Sequence, residues 1–317
     1  MPRLWRSVTA MGLTAACAAC ASAAPPVPPA PLRLEASETT FVRVRGVAIH
    51  YAESRPATEG EPWLLLLHGF GASTESWYDV APLLAPAIRV VRIDLRGFGL
   101  SSKPRDANYS LEEQAAIVIE LLPLLGKGPV VIGGHSYGGA VTFITYLRLL
   151  SEGREGAVRG LILMDAPTYP QKLPFFISSL RNPFTRFISQ NFTSYKWRTR
   201  FVLERVFFKK ELVDDARVER YARALERDNA EYAIAAVAKQ VVPGHVETLP
   251  DSLKLFDVPT LIIWGEHDPV VPIENARRLN RDIRGSELVV VPGTGHVPHE
   301  ELPALTANAM IAFLKRL

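Results

Sequence analysis

The sequence predicts an α/β protein with a mostly parallel sheet, helices on both faces of that sheet and a helical insertion. Two observations carry this prediction. Short apolar segments of strand character alternate with segments of helical periodicity, which is the pattern of strand–helix–strand units. From Pro167 to about Pro250 this alternation stops, and long helical, charged or aromatic segments take its place. The insertion is therefore predicted to interrupt the sheet-forming core.

The strand-like segments lie on both sides of the interruption. Residues 41–45 and 47–51 are predicted to form a hairpin. The other segments are rich in Val, Ile and Leu, which is typical of strands buried on both faces; they are 63–67, 89–93, 129–132, 160–164, 260–264 and 288–291. A helix is predicted to begin after Ser110, because Ser110 and Glu113 form a capping-box pattern before apolar residues at helical spacing.

The N-terminal segment resembles a secretory signal peptide. Arg3 and Arg6 precede an apolar run at 11–19, and a small-residue cleavage pattern, Ala21-Ser22-Ala23, follows it. The apolar run is far shorter than the ~20 residues of a membrane-spanning helix. We therefore expect export to the periplasm or the medium. The predicted organisation is a signal peptide at 1–23, a linker at 24–38, a core at 39–166 and 251–317, and a cap at 167–250.

Both cysteines, Cys17 and Cys20, fall within the predicted export segment. A mature chain cut after Ala23 contains no cysteine and can form no disulfide. Lipid attachment at Cys17 or Cys20 is the alternative, since both follow small residues as in bacterial lipoproteins. The residues before them lack the leucine that usually stands three positions before such a cysteine.

The charge of the chain gives no indication of a nucleic-acid partner. The formal net charge is +3, and removal of Arg3 and Arg6 lowers it to +1. A local excess of positive charge occurs in the insertion, where eight basic residues face one acid, Glu204, between positions 181 and 210. Contact with an anionic membrane surface is one interpretation, and a solvated helix face, balanced by the acidic stretch after it, is the other.

The strongest chemical signal is the motif Gly134-His135-Ser136-Tyr137-Gly138. It directly follows a predicted strand and precedes an apolar, helix-like stretch, which is the setting of a nucleophilic serine on a sharp strand-to-helix turn. At such a turn the backbone is strained, and side chains at positions 134 and 138 would collide with neighbouring backbone. Ser136 is therefore the predicted nucleophile.

A serine needs a general base and a carboxylate to orient that base. His296 ends the stretch Gly293-Thr294-Gly295-His296 after a predicted strand and is the favoured base, with His299 as its rival. Asp268 also lies on a loop that leaves a strand, and it gives the chain order Ser, Asp, His. Asp165, at the end of another predicted strand, is the alternative carboxylate.

With these residues the chain resembles the α/β-hydrolase family with a helical cap, from about Thr39 to the C-terminus. The other stretches that carry the resemblance are His68-Gly69-Phe70-Gly71, the stretch from Asp94 to Ser101, and Glu300 and Pro303 downstream of His296. The resemblance implies an oxyanion hole made by the backbone N–H groups of Phe70 and Tyr137, and it implies no metal or other cofactor.

Four other polar residues near these motifs are expected to support the loops rather than react. They are His68, Asp94, Arg96 and His135.

The nucleophile type limits the reaction. Family members that attack carbon with a carboxylate, such as haloalkane dehalogenases and epoxide hydrolases, form an ester that water then cleaves, whereas a serine would form an ether. Ser136 therefore predicts acyl chemistry, with a carboxylic ester first, then a lactone or thioester. Perhydrolysis, halogenation or carbon–carbon hydrolysis on the same triad is an alternative, and a ligand-binding protein on this fold is another.

The insertion also indicates the kind of substrate. Ten of the 28 aromatic residues of the chain lie between positions 175 and 208. Such a density favours an apolar pocket roof, and thus a small-molecule substrate with an apolar moiety. The sequence does not indicate an oligomeric state.

Overall fold

The structure is a computed structural model that describes residues 40–244, 246–247 and 249–317. The predicted signal peptide and linker, with Cys17 and Cys20, lie outside the described residues. The first strand begins at Thr40, one residue after the start predicted for the core.

The described residues form one eight-stranded sheet. In chain order its strands are β1 Thr40–Val44, β2 Val47–Glu53, β3 Trp63–Leu67, β4 Arg89–Ile93, β5 Val130–His135, β6 Val158–Met164, β7 Thr260–Gly265 and β8 Glu287–Val291. Their spatial order is β1-β2-β4-β3-β5-β6-β7-β8. Strands β1 and β2 pair with each other, and β2 with β4, in antiparallel fashion; the remaining pairs are parallel. The predicted α/β class is confirmed.

Helices pack against both faces of the sheet. Those outside the insertion are α1 Ala81–Leu84, α2 Leu111–Leu125, α3 Tyr137–Ser151, α10 Ile273–Asp282, α11 Pro298–Glu301 and α12 Pro303–Leu314. Alternate residues of β3 show the two layers: Leu65 and Leu67 join the core formed with α2, α3 and α10, whereas Leu64 and Leu66 join the core formed with α1 and α12. Both cores are apolar, as the alternation of side chains along a strand requires.

The helix predicted to begin after Ser110 is α2, and its N-terminus is capped. The Ser110 side chain accepts a hydrogen bond from the Glu113 N–H (3.2 Å), so Ser110 caps α2.

The prediction of a strand buried on both faces is wrong for β8. This strand forms an edge of the sheet, and among its residues only Val291 is buried. An apolar run does not show whether a strand has a neighbour on each side.

Helices are the regular elements that the structure describes between β6 and β7. This segment, the helical insertion, contains α4 Phe175–Arg181, α5 Pro183–Phe192, α6 Tyr195–Val206, α7 Asp215–Leu225, α8 Ala230–Gln240 and α9 Leu249–Ser252. Its small apolar core contains residues of α6 and α7, and Val297 from the loop after β8 packs into it. Among the helices of the described residues, none is long and apolar enough to span a membrane.

Candidate active site

Ser136 stands at the turn between β5 and α3, at the carboxyl edge of the sheet. Its backbone has φ 50° and ψ −118°, in the positive-φ region that L residues other than glycine rarely adopt. The Ser136 N–H donates to the Met164 carbonyl (2.8 Å), which ties the turn to the end of β6. The strained turn expected from the sequence is present.

The glycines on each side of Ser136 leave no room for a side chain. A Cβ atom at Gly134 would lie 2.1 Å from the Gly138 carbonyl oxygen, and one at Gly138 would lie 2.2 Å from the Leu67 carbonyl oxygen. Both contacts involve backbone that cannot rotate away. The spacing of the motif therefore follows from the close approach of β3, β5 and α3.

Ser136, His296 and Asp268 form a continuous hydrogen-bonded chain. The Oγ of Ser136 lies 2.8 Å from His296 Nε2, and His296 Nδ1 lies 2.8 Å from Asp268 Oδ2. Because a carboxylate oxygen accepts, Nδ1 is the protonated ring nitrogen and Nε2 is left to accept the serine hydroxyl. The structure thus brings together the three residues that the sequence suggested, and it places His296 rather than His299 at the serine.

Asp268 is fixed by the start of the loop after β7. Its Oδ1 accepts hydrogen bonds from the Val270 N–H (2.7 Å) and the Val271 N–H (3.1 Å), which leaves Oδ2 for the imidazole. The side chain is fully buried in the pair with His296. Two backbone donors and one ring donor hold this carboxylate in the orientation that fixes the histidine tautomer.

Asp165, the rival carboxylate, lies behind the same site. It is fully buried, and its Oδ1 accepts a hydrogen bond from the Gly265 N–H (2.9 Å). Burial raises the pKa of Asp165 well above its usual value, and the nearby charge of Asp268 raises it further. Asp165 is therefore a neutral acid that supports the site from behind, while Asp268 contacts the histidine.

The two residues expected to form the oxyanion hole stand beside the serine turn. Tyr137 is the first residue of α3, where a helix provides no acceptor for its own N–H groups. Phe70 follows Gly69, whose position is so close to the nucleophile that a Cβ there would lie 3.4 Å from the Ser136 Cβ. Among the acceptors in the described ranges, none takes the Phe70 N–H. This position agrees with the role expected of the two N–H groups, which stays a prediction.

The four polar residues expected to act as supports are engaged in the surrounding loops. The Leu95 N–H donates to His68 Nε2 (3.0 Å), and Asp94 accepts from the N–H groups of Thr74 (2.6 Å) and Leu100 (2.7 Å). Arg96 pairs with Asp106 and lies 3.4 Å from Glu113. His135 Nε2 donates to the His296 carbonyl (2.6 Å). Of the four, His135 is thus the one that directly holds the backbone of the base.

The chain is similar to proteins of known fold. The family model for the alpha/beta hydrolase fold matches residues 62–303. The chain belongs to the α/β-hydrolase fold family. It is 31% identical over 283 residues to 2-hydroxy-6-oxo-6-(2'-aminophenyl)hexa-2,4-dienoic acid hydrolase of Metapseudomonas resinovorans, covering 87% of this chain and 90% of that protein.

Lipolytic proteins are similar to the chain to nearly the same degree. Lipase 3 of Moraxella sp. (strain TA144) is 29% identical over 268 residues, which cover 83% of this chain and 80% of the lipase. A solved structure described as a bacterial membrane phospholipase A and virulence factor is 28% identical, with a TM-score of 0.72, and covers 88% of this chain and 86% of its own. The relatives identify the chain as a hydrolase, and their substrates differ.

One residue of this α/β-hydrolase site was not found from the sequence. Glu301, which is buried, accepts from the N–H groups of Gly295 (2.6 Å), Phe208 (3.0 Å) and Lys209 (2.7 Å). It therefore joins the loop of the base to the helical insertion. An acid in the first turn of a helix after the histidine loop is a weak sequence signal, because the N-terminal end of any helix favours acids.

A second connection runs through Glu300, which pairs with Arg217 and accepts a hydrogen bond from the Tyr221 hydroxyl, both on α7. In addition, the His296 N–H donates to the carbonyl of Val206 on α6 (2.8 Å). The position of the catalytic loop in this α/β-hydrolase thus depends on the insertion at several points. A shift of α6 or α7 would move the backbone of the base.

A cavity of about 530 Å³ opens onto Ser136 and His296. Core residues Gly69 and Phe70 form part of its wall, and helices α4 to α8 of the insertion supply most of the rest. The lining is mainly apolar and aromatic; Arg198 and Glu231, paired at 2.6 Å, are charged side chains within it. Such a volume admits a small molecule with an extended apolar group.

In the part of the chain that the structure describes, one group of His, Cys, Asp or Glu side chains has the spacing of metal ligands. The group is Asp165, Asp268 and His296. Both ring nitrogens of His296 are engaged, by Ser136 and by Asp268. The acid–base chemistry of the triad therefore accounts for this group.

Proposed function

We propose that the chain is a serine hydrolase that cleaves a carboxylic ester with an apolar moiety through an acyl-enzyme. The observation that carries the proposal is the chain of hydrogen bonds from Ser136 through His296 to Asp268 at the base of an apolar cavity. A hydroxyl activated in this way attacks acyl carbon, and the cavity excludes water from the apolar part of the substrate.

In the first half-reaction, Ser136 Oγ attacks the acyl carbon while His296 Nε2 takes the hydroxyl proton. The imidazolium that results is stabilised by Asp268, and the oxyanion by the N–H groups of Phe70 and Tyr137. The bond to the alcohol oxygen then breaks, and Nε2 donates its proton to that oxygen. The products are the free alcohol and an ester between the acyl group and Ser136.

The second half-reaction repeats the sequence with water. His296 Nε2 takes a proton from the attacking water, and the same two N–H groups hold the second oxyanion. Collapse breaks the bond to Oγ, and the proton returns to Ser136 from the imidazolium. The carboxylic acid leaves, and the triad regains its initial protonation state.

We further propose that residues 167–250 act as a cap that selects the substrate. Five helices of this segment line the cavity, and Glu300 and Glu301 join the cap to the histidine loop. Apolar lining favours an acyl or alcohol group that gains by leaving water. The lipolytic relatives support an ester substrate. The proposal includes export of the chain, directed by residues 1–23.

A substrate panel tests the proposal. Wild-type protein and Ser136→Ala are assayed with p-nitrophenyl esters of increasing acyl length. They are also assayed with a lactone, a thioester, an amide and a vinylogous diketone whose hydrolysis breaks a carbon–carbon bond. Peracid formation is measured separately. We expect ester hydrolysis that requires Ser136, with kcat/KM rising from acetate to medium-length chains. Higher turnover of the carbon–carbon substrate, or predominant peracid formation, would replace the ester assignment. Ligand binding without any turnover would indicate a binding protein.

A further inference from the structure

The helix α5 has an apolar stripe that the described residues leave uncovered. Phe184, Phe187, Ile188 and Phe192 follow one another at spacings of three, one and four residues and therefore lie on one side of the helix. All four are exposed, and no residue of α5 is buried. Single exposed apolar side chains are ordinary, whereas a continuous apolar stripe is typical of an interaction surface.

The stripe is continuous with the mouth of the substrate cavity. Phe184 and Ile188 line the cavity although they are exposed, and the same holds for Phe175 on α4 and Trp197 on α6. These four side chains therefore stand where the cavity meets solvent. A molecule or surface that binds the stripe therefore also faces the opening that leads to Ser136.

The chain segment that carries the stripe has basic residues and no acidic ones. The sequence from Ala166 to Leu203 contains no Asp or Glu, and it contains six basic residues. Four of these, Arg181, Arg186, Lys196 and Lys172, lie on or next to α4, α5 and the start of α6. Lys196 pairs with Glu219, whereas Arg181 and Arg186 pair with no acid of the described ranges. A partner with negative charge beside an apolar interior is complementary to this surface.

We propose that the α5 stripe docks the protein on an anionic lipid surface, with the cavity mouth facing the lipid. The inference rests on the proposed ester hydrolysis and names the place where the substrate is met. A lipid surface offers an apolar interior to the phenylalanines, anionic head groups to Arg181 and Arg186, and ester-bearing molecules to the cavity. A protein partner would complement the stripe and the charges but would not supply a substrate to the opening.

Vesicle sedimentation tests the docking. The full chain, with Cys17→Ser and Cys20→Ser so that neither cysteine can carry a lipid, is mixed with vesicles of phosphatidylcholine alone or with phosphatidylglycerol. The test variant is Phe187→Ser/Phe192→Ser, whose side chains are 57% and 73% exposed and do not line the cavity. The matched control is Leu124→Ser/Leu255→Ser, each 59% exposed on other elements. Each protein is also assayed on a dispersed short-chain ester.

We expect the phenylalanine variant to lose at least about tenfold in partition to anionic vesicles, because two aromatic side chains no longer enter the lipid. The leucine control should partition as the parent does. Replacement of either Arg181 or Arg186 by an uncharged residue should weaken binding to anionic vesicles by about fivefold. All variants should hydrolyse the dispersed ester at the parent rate.

Three results would overturn the docking proposal. One is equal partition of the phenylalanine variant and the parent, which would place any membrane contact elsewhere. Another is equal loss in the leucine control. A third is self-association of the parent that the phenylalanine variant abolishes, which would assign the stripe to a second copy of the chain. Failure of the proposed hydrolysis is separate, because it would appear as inactivity on the dispersed ester whatever the vesicles show.

Discussion

Asp165 and Asp268 share the space beneath His296. One oxygen of each carboxyl group and one ring nitrogen of the histidine lie within 4.8 Å of one another. Two carboxylates this close do not both ionise. Burial and the neighbouring Asp268 both raise the pKa of Asp165, so Asp165 is the member of the pair that holds a proton more readily. The pair thus contains one carboxyl group that supports and one that orients the base.

Replacement of each aspartate by asparagine is expected to separate these roles. Asp268→Asn places an amide donor against His296 Nδ1, favours the wrong tautomer, and should lower kcat by about 10³-fold to 10⁴-fold. Asp165→Asn keeps an acceptor for the Gly265 N–H and a donor toward Asp268, so kcat should stay within about tenfold of wild type. Steady-state kinetics on one ester with both variants makes the comparison.

The reverse ranking, with Asp165→Asn the more damaging, would make Asp165 the orienting carboxylate. A further variant, Asp165→Ala, leaves the buried Gly265 N–H without its acceptor. It should lower the free energy of unfolding by about 1–3 kcal/mol, which shows the structural part of the role.

The contact between Ser136 and His296 could be predicted from the sequence, because each residue is tied to a local pattern. Gly134 and Gly138 are required by backbone contacts that any serine turn of this kind makes, and the loop of His296 follows a strand. The proximity of Asp165 to Asp268 could not be predicted, since it depends on the adjacent ends of β6 and β7, about a hundred residues apart in sequence. Local patterns do not encode such a distance.

The helical insertion shows the same limit. Its helical character and its aromatic content were evident in the sequence, but the exposure of Phe187 and Phe192 was not, because helical periodicity shows which residues share a side and not what covers that side. Likewise, the role of Glu301 depends on three N–H groups from two separate segments. These features arise from the docking of the insertion on the core.

The glycine at position 138 is expected to be essential for folding. In Gly138→Ala the new Cβ would overlap the Leu67 carbonyl oxygen, and neither the strand nor the helix can move away without loss of packing. The free energy of unfolding should fall by more than about 3 kcal/mol, measured by urea denaturation or as a fall in soluble yield.

The matched control is Gly156→Ala, where no atom lies within 4 Å of the added carbon and φ is not positive. This variant should unfold as wild type does. Equal stability of the two variants would show that the serine turn is less crowded than the structure indicates.

Buried neutral histidines are expected to make the protein sensitive to acid. Burial lowers the pKa of His68 and of His135, and it lowers the pKa of His299 to about 3. In the unfolded chain these groups bind protons below about pH 6.5, whereas the folded state does not. Their contribution to stability is therefore present above pH 6.5 and is lost as the pH falls toward the folded-state values.

The raised pKa values of Asp165 and Glu300 act in the opposite direction, because these buried acids bind protons in the folded state first. A single histidine is isolated by His299→Phe, which keeps the ring contacts with Trp77 and His135. Between pH 6.5 and 5, the free energy of unfolding of the wild-type protein falls with pH partly because of His299. In the variant this fall should be less steep by about 1.4 kcal/mol per pH unit.

Urea unfolding at several pH values in this range measures the slope. An unaltered slope in His299→Phe would mean that His299 is charged, or solvated, in the folded protein.

The most direct test of the account is covalent labelling of Ser136 by a fluorophosphonate. A hydroxyl that His296 deprotonates attacks the phosphorus and displaces fluoride, so intact mass and peptide mapping should find one adduct, on Ser136, in folded wild-type protein. Ser136→Ala should show none, and His296→Ala should label at least about 10³-fold more slowly. No adduct on folded, wild-type Ser136, or equal labelling after loss of His296, would contradict the activation of this serine by the triad.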